Sequence, residues 1–257
     1  MAHRVDINCD MGESFGVYSI GQDSQIMQYI TSANIACGFH AGDPSVMRNT
    51  VTLALQHDVS VGAHPGYPDL LGFGRRYMHM TYREARDAVL YQLGSLGAFA
   101  TALGTKIRHM KAHGVLYNAA AKDSELARAL ADAVFEYDRD IIFVALAGSL
   151  LVDAGRQAGL RVASEAFADR AYQSDGSLVP RGTPGAVIDD ETLVAARVAR
   201  MLKEGKVTSI DGHELDIKPD TICVHGDTPG AVQFARAMRA ALESAGIEVV
   251  PLDKMLS

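Results

Sequence analysis

The stretch Asn34–Pro44, NIACGFHAGDP, runs from a short apolar segment through Cys37 and His40 to Asp43 and Pro44, with small residues between the reactive ones. An apolar run that stops at a polar turn, followed by Asp as helix cap and Pro at the first helical position, marks a strand handing over to a helix. The reactive side chains then crowd the rim of a sheet.

The same unit recurs along the chain. The β-like runs RVDINCD, SANIAC, VSVGAH, RHMKAHG, IIFVALA, LRVASEAF and TICVHGD alternate with amphipathic helical stretches. The stretch TYREARDAVLYQLGSLGAFATALG carries a capping box in Thr81 and Glu84 and a stop at Gly104. In DTPGAVQFARAMRAALESAG, Thr228 is placed to cap and Pro229 to take the first turn. Near-continuous apolar strands, each followed by a helix of a dozen or more residues, call for a parallel βα architecture. About seven such units predict an α/β fold, a closed or nearly closed parallel βα barrel. The rhythm breaks at KVTSIDGHELDIKPD, two alternating runs about Asp211-Gly212, which predicts an inserted β-hairpin with a type I′ turn.

Composition narrows the function. A chain of 257 residues with 48% apolar content can bury one substantial core, and a single barrel domain over residues 1–257 is expected. The net charge of -7, without long basic runs, lacks the footprint of a nucleic-acid binder. Apolar stretches such as IIFVALAGSLLV are interrupted by small residues and fall short of a bilayer span. The opening MAHRVDINCD is acidic and has no signal-peptide core. A soluble, cytoplasmic protein without a membrane partner is expected. Cys9, Cys37 and Cys223 are an odd, scattered set, which argues for a reducing compartment and against a disulfide framework.

On this scaffold the polar residues fall at strand ends. Asp6, Asn8, Asp10 and Glu13 follow the first strand, Cys37, His40 and Asp43 the second, His64 the third, Lys111 and His113 the fourth. Glu165, Asp169 and Arg170 follow the sixth, and His225 with Asp227 the seventh. In a parallel barrel all these loops open on the face where barrel active sites sit. Asp6, Asn8 and Asp10 are two apart, so they share one strand face, which in a closed barrel is the lumen.

Each residue also has a structural reading. Asp43 reads as an N-cap, and Asp69 and Asp175 as turn residues. Cys37 reads as a nucleophile or as a small buried packing thiol. Arg75 and Arg76 in LLGFGRR are placed to hold a phosphate or carboxylate, or simply to meet water. Asp10, His40 and His64 offer a carboxylate and two imidazoles to a metal, although no tight spacing such as His-Glu-x-x-His accompanies them. Lys111 shares a face with His113, and a lumenal ammonium must meet an anion: a permanent salt bridge to Asp10 or Glu165, or the carboxylate or phosphoryl group of a substrate.

The ordered set DINCDMGES, NIACGFHAGDP, GAHPGYPD, GFGRR, HMKAHGVLYN, EAFADRAYQSDGSLVPRGTPGAVI and ICVHGDTPGA closely resembles the LamB/YcsF family, the A component of 5-oxoprolinase, from Val5 to about Pro251. Two departures are Ala112, where the family pattern has proline between the lysine and the histidine, and Arg76, which follows the better matched FGR. The resemblance implies a glycoside hydrolase/deacetylase-type barrel and ATP-dependent opening of 5-oxoproline to L-glutamate together with separate B and C subunits. ATP is the implied co-substrate, a divalent metal such as Mg is compatible with it, and so is a homo-oligomer. The expected catalytic set is Asp10, Lys111, His113 and Glu165, with Asp10 and His113 as base and acid. The expected substrate contacts are Asn8, Asn34, Arg75, Arg170, His225 and Asp227. The alternatives are a metal-dependent carbohydrate deacetylase-like hydrolase and a non-catalytic lactam-binding subunit.

Overall fold

The computed structural model describes residues 3–188, 190–224 and 230–256. Seven parallel strands close into a barrel: β1 (Arg4–Met11), β2 (Ser32–Ala36), β3 (Ser60–His64), β4 (His109–Met110), β5 (Ile142–Leu146), β6 (Val162–Phe167) and, after a hairpin of β7 (Lys206–Thr208) and β8 (Glu214–Asp216), β9 (Thr221–Val224). Closure is made by β9, which pairs with β6 through Glu165 and Thr221 and with β1 through Asp6 and Thr221. A short strand, β10 (Glu248–Val249), adds to the start of β1. The helices are α1 (Asp23–Ile26), α2 (Pro44–Gln56), α3 (Tyr82–Ala102), α4 (Gly114–Ala120), α5 (Ser124–Tyr137), α6 (Leu150–Gln157), α7 (Glu191–Glu204), α8 (Ala231–Ser244) and α9 (Leu252–Met255).

The expected caps form where they fall on described residues. Asp43 accepts from the backbone N–H groups of Ser45 and Val46, with Pro44 opening α2. Thr81 and Glu84 make the reciprocal capping box of α3. The expected cap at Thr228 and Pro229 lies outside the described residues. The hairpin forms, but its turn is not type I′. Among the described residues only Asp58 and Phe73 are non-glycine residues with positive φ, so Asp211 lacks the conformation that type I′ demands. Instead Gly212 N–H donates to Ser209 O at 3.0 Å and Gly212 takes φ +87°, so the loop closes on a left-handed glycine.

Strand alternation sorts the two faces of the barrel. Val5, Ile7, Cys9 and Met11 point outward into the apolar layer, where Met47 and Val51 of α2, Leu93 and Leu96 of α3 and Leu130 of α5 bury against the sheet. Burial of each large side chain contributes about 1.5–3 kcal/mol. The opposite face carries Asp6, Asn8 and Asp10 into the lumen. At the N-terminal end, Leu252 of α9 joins Ile142, Val144 and Ala163 in a separate apolar cluster. Asp253 there accepts from Ser60 Oγ at 2.7 Å and Leu256 O from Arg161 Nη1 at 2.7 Å, so α9 closes that end. Among the described residues no helix is long and apolar enough to cross a membrane.

Candidate active site

Above the apolar cluster at its N-terminal end, the barrel interior is polar in layers. In the lowest layer Asp6 accepts from Thr31 Oγ1 (2.7 Å), Ser32 Oγ (2.6 Å) and Thr221 Oγ1 (2.5 Å). Burial pushes the Asp6 carboxyl up to about 6 despite those bonds. Above it, Asn8 Nδ2 donates to Glu165 Oε1 (3.0 Å) and Thr221 Oγ1 (2.7 Å), while its Oδ1 accepts from Asn34 Nδ2 (2.7 Å). Asn34 Nδ2 also reaches Asp10 Oδ1 (2.8 Å), and its Oδ1 meets His109 Nε2 (2.9 Å). His109 fits because position 62 is glycine: a Cβ there would lie 2.0 Å from its Nε2. Burial pushes the His109 imidazole down to about 3, so it is neutral.

At the floor of the mouth lies Lys111, 2% exposed. Its Nζ contacts Glu165 Oε1 (2.9 Å), Asp10 Oδ1 (3.0 Å), Cys223 Sγ (3.0 Å) and Asn8 Oδ1 (3.3 Å). Burial works against the ammonium, but the charges around it, Asp10 foremost, hold its pKa well above the ordinary value. Three N–H bonds facing four acceptors leave no donor idle. Both anions of the expected salt bridge are therefore engaged together. Glu165 is fully buried, and its Oε2 accepts from Tyr117 OH at 2.6 Å.

Beside Asp10 stands a second cluster. His64 Nε2 is 3.2 Å from Asp10 Oδ2 and 3.1 Å from His113 Nδ1. Glu13 Oε1 lies 3.2 Å from His113 Nδ1 and 3.3 Å from His40 Nε2, and the His40 and His113 rings stack at 3.7 Å. Burial pushes the Glu13 carboxyl up, but its contacts with the His113 and His40 imidazoles outweigh it and hold Glu13 well below the usual carboxylate range. Burial pushes His40 down to about 3. Ligand atoms of Glu13, His40, His64 and His113 all lie within 4.8 Å of one another, a buried group that can hold a metal ion.

These groups open on a cleft of about 570 Å³, lined by Asp10, Glu13, His64, Lys111 and His113 together with Arg75, Arg170 and Arg181. That volume suits a small molecule. Arg75 lies over the Phe73 ring at 4.9 Å. Arg170 donates to the carbonyls of Val179 and Ala186, bracing the loop that follows β6. Arg76 pairs with Asp69 instead of facing the cleft.

The structure gives each expected site residue among the described ones a place. Asn8 and Asn34, expected at the substrate, are fully buried and lie one layer below the cleft lining, with their amides committed to Asp10 and Glu165. His113 is turned toward Glu13 and His64, with its Nε2–H on Phe73 O at 2.8 Å. Cys37 is buried, bonds Ile35 O at 3.1 Å and is pushed up to about 12 by burial, a packing thiol. His225 and Asp227 lie outside the described residues. The sequence places Glu13 at a strand end without giving it a role, and it does not single out His109 or Tyr117. The two-residue step His109, Lys111, His113 carries a signal for His109, whereas Tyr117 comes from the helix beyond the strand and carries none.

The profile of the LamB/YcsF family matches residues 5–257, from the first lumenal strand to the end of the chain. The chain belongs to the LamB/YcsF family. Its relatives include a protein from Pyrococcus horikoshii named as the A component of 5-oxoprolinase, 55% identical over 98% of this chain and 99% of that one. A protein of the same name from Thermococcus onnurineus is 56% identical over the same shares. A lactam utilization protein from Thermus thermophilus is 48% identical, with a TM-score of 0.92 over 97% of this chain and 100% of that one. A deacetylase at 11% identity superposes with a TM-score of 0.50 over 99% of this chain and 90% of that one, a likeness of barrel fold alone. The layered polar lumen is thus set in a LamB/YcsF barrel of deacetylase-like shape.

Proposed function

We propose that this chain is the A component of a multi-subunit 5-oxoprolinase, which with B and C partners opens 5-oxoproline to L-glutamate as ATP is consumed. The reading rests on relatives named for the same component of that enzyme. The observation that carries a catalytic role is the pair of carboxylates, Asp10 and Glu165, held on one buried ammonium at the floor of a small-molecule cleft.

A five-membered lactam is an unstrained amide with a poor leaving group, so its carbonyl must be activated before water attacks. Transfer of a phosphoryl group from ATP to the carbonyl oxygen would do so. Asp10 is the base in this scheme: its Oδ1 is fixed by Lys111 and Asn34, and its Oδ2 faces His64 at the cleft wall. It takes a proton from water as the oxygen adds to the carbonyl carbon. The C–N bond then breaks, the ring nitrogen receives that proton, and the acyl phosphate left on the former carbonyl carbon is hydrolysed by a second water to glutamate and inorganic phosphate. Glu165, itself held by the Tyr117 hydroxyl, fixes the ammonium from below. Arg75, Arg170 and Arg181 in the cleft lining suit the carboxylate of 5-oxoproline or the phosphoryl oxygens. A metal ion held by Glu13, His40, His64 and His113 would supply a Lewis acid beside Asp10.

That cluster also favours a second reading, a metal-dependent hydrolase of acylated sugars that needs no nucleotide. Reconstitution of the chain with its B and C partners, following glutamate and ADP together, separates the two. Ring opening coupled to ADP supports the 5-oxoprolinase reading. Activity on acyl sugars without ATP, and none on 5-oxoproline, overturns it.

A further inference from the structure

We infer that Glu13, His64 and His113, with His40 as the fourth donor, form a binding site for one divalent first-row transition ion of the zinc type. The inference stands on the geometry of the cluster and does not depend on the ring-opening reading.

Hydrogen bonds to carbonyl groups fix which ring nitrogens carry protons, because a carbonyl oxygen only accepts. His64 Nδ1 lies 2.8 Å from Lys111 O and so bears hydrogen, leaving a lone pair on Nε2. His113 Nε2 lies 2.8 Å from Phe73 O and so bears hydrogen, leaving a lone pair on Nδ1. These two lone pairs face each other across 3.1 Å. Carboxylate oxygens flank both, with Asp10 Oδ2 3.2 Å from His64 Nε2 and Glu13 Oε1 3.2 Å from His113 Nδ1. Lone pairs and anions pointed at one another in a buried place repel unless a cation lies among them. Lys111, the nearest ammonium, is already committed to Asp10 and Glu165.

The arrangement also has the outer support of a metal site. Two ligand imidazoles each give the other N–H to a backbone carbonyl, which fixes both tautomer and ring plane. His40 Nδ1 has no partner and lies against Gly66, where a Cβ would be 2.6 Å away, so Nε2 is the nitrogen turned toward Glu13. Bonds of about 2.0–2.1 Å in a tetrahedral shell put neighbouring ligand atoms roughly 3.3–3.4 Å apart. The separations of 3.1, 3.2 and 3.3 Å already approach that spacing. Three imidazoles and one carboxylate select zinc, cobalt or iron over magnesium or calcium, which take oxygen shells. Glu13, His64 and His113 border the cleft, so the ion is reached from it.

The test uses the full chain, stripped with a chelator, dialysed and titrated with Zn²⁺, Co²⁺ and Mg²⁺. Expected are one Zn²⁺ per chain by elemental analysis, a rise in melting temperature on adding Zn²⁺, and visible absorption from bound Co²⁺ of the kind given by a tetrahedral nitrogen and oxygen shell. Glu13→Gln and His113→Gln each weaken Zn²⁺ binding about 100-fold or more, since loss of even an outer partner costs 10- to 100-fold. His57→Gln, which removes an exposed imidazole, leaves it unchanged. A wild-type chain that takes up no Zn²⁺ overturns the inference, because a shared proton then sits between the rings. So does equal binding by wild type and His113→Gln, which assigns the ion to the surface, or Mg²⁺ binding as tight as Zn²⁺. If a variant fails to fold, the wild-type stoichiometry and cobalt spectrum decide.

Discussion

Replacing Lys111 by Met removes the one ammonium between the buried carboxylate of Glu165 and the half-buried carboxylate of Asp10 while keeping most of the side-chain volume. The lost contacts are those at 2.9 Å to Glu165 and 3.0 Å to Asp10, and Glu165 has no exposure through which water could replace them. Removing one partner of a buried ion pair costs about 3–5 kcal/mol, because the other charge is left uncompensated. For a chain of this size that corresponds to a fall in melting temperature of roughly 6–10 °C. Differential scanning calorimetry at neutral pH measures it directly. Pairing Lys111→Met with Glu165→Gln should recover part of it, with a coupling energy of about 2–3 kcal/mol in the double-mutant cycle. An unchanged melting temperature in Lys111→Met would refute the claim that this lysine neutralises the floor of the site.

Gly62→Ala drives a methyl group to within 2.0 Å of His109 Nε2, and we expect loss of several kcal/mol or insoluble expression; a wild-type melting curve would show that the ring can move aside. His109 is neutral in the fold, with its pKa depressed from 6.5 to about 3, so the stability it supports is complete above 6.5 and is lost as pH falls toward 3. The loss is about 1.4 kcal/mol per pH unit in that window, and His109→Gln should reduce the slope of stability against pH by one proton, measured by denaturant titration. Tyr117→Phe removes the 2.6 Å bond to Glu165 Oε2 and should destabilise by about 1.5–3 kcal/mol in the same titration, as for other hydrogen bonds to charged groups.

The barrel was legible because short apolar runs alternate with amphipathic helices, some of them opened by capping signals as at Asp43 and Thr81, and such local chemistry survives folding unchanged. The inward register of Asp6, Asn8 and Asp10 was legible from the two-residue period of β1. Depth was not. Whether a lumenal residue meets ligand or lies beneath it depends on how neighbouring strands are staggered, and the stagger puts Asn34 opposite Asp10 and beside His109. This is why two asparagines expected at the substrate lie beneath the cleft lining. The turn at Asp211-Gly212 misled for a smaller reason: the pair fits a two-residue loop, but the strands pair at Thr208 and Glu214, which leaves a longer connection. Glu13 and Tyr117 reach the site from beyond the strand ends, and nothing in their local sequence announces a partner brought from elsewhere in the chain.

The central claim, that Asp10 opens the lactam, is tested most directly by one comparison: glutamate formed by the reconstituted three-subunit assembly with wild-type chain and with Asp10→Asn. Asn keeps the size of the side chain and removes the base, so we predict glutamate formation at least about 100-fold slower in an assembly that still forms. Glutamate produced at the wild-type rate by Asp10→Asn would contradict the account.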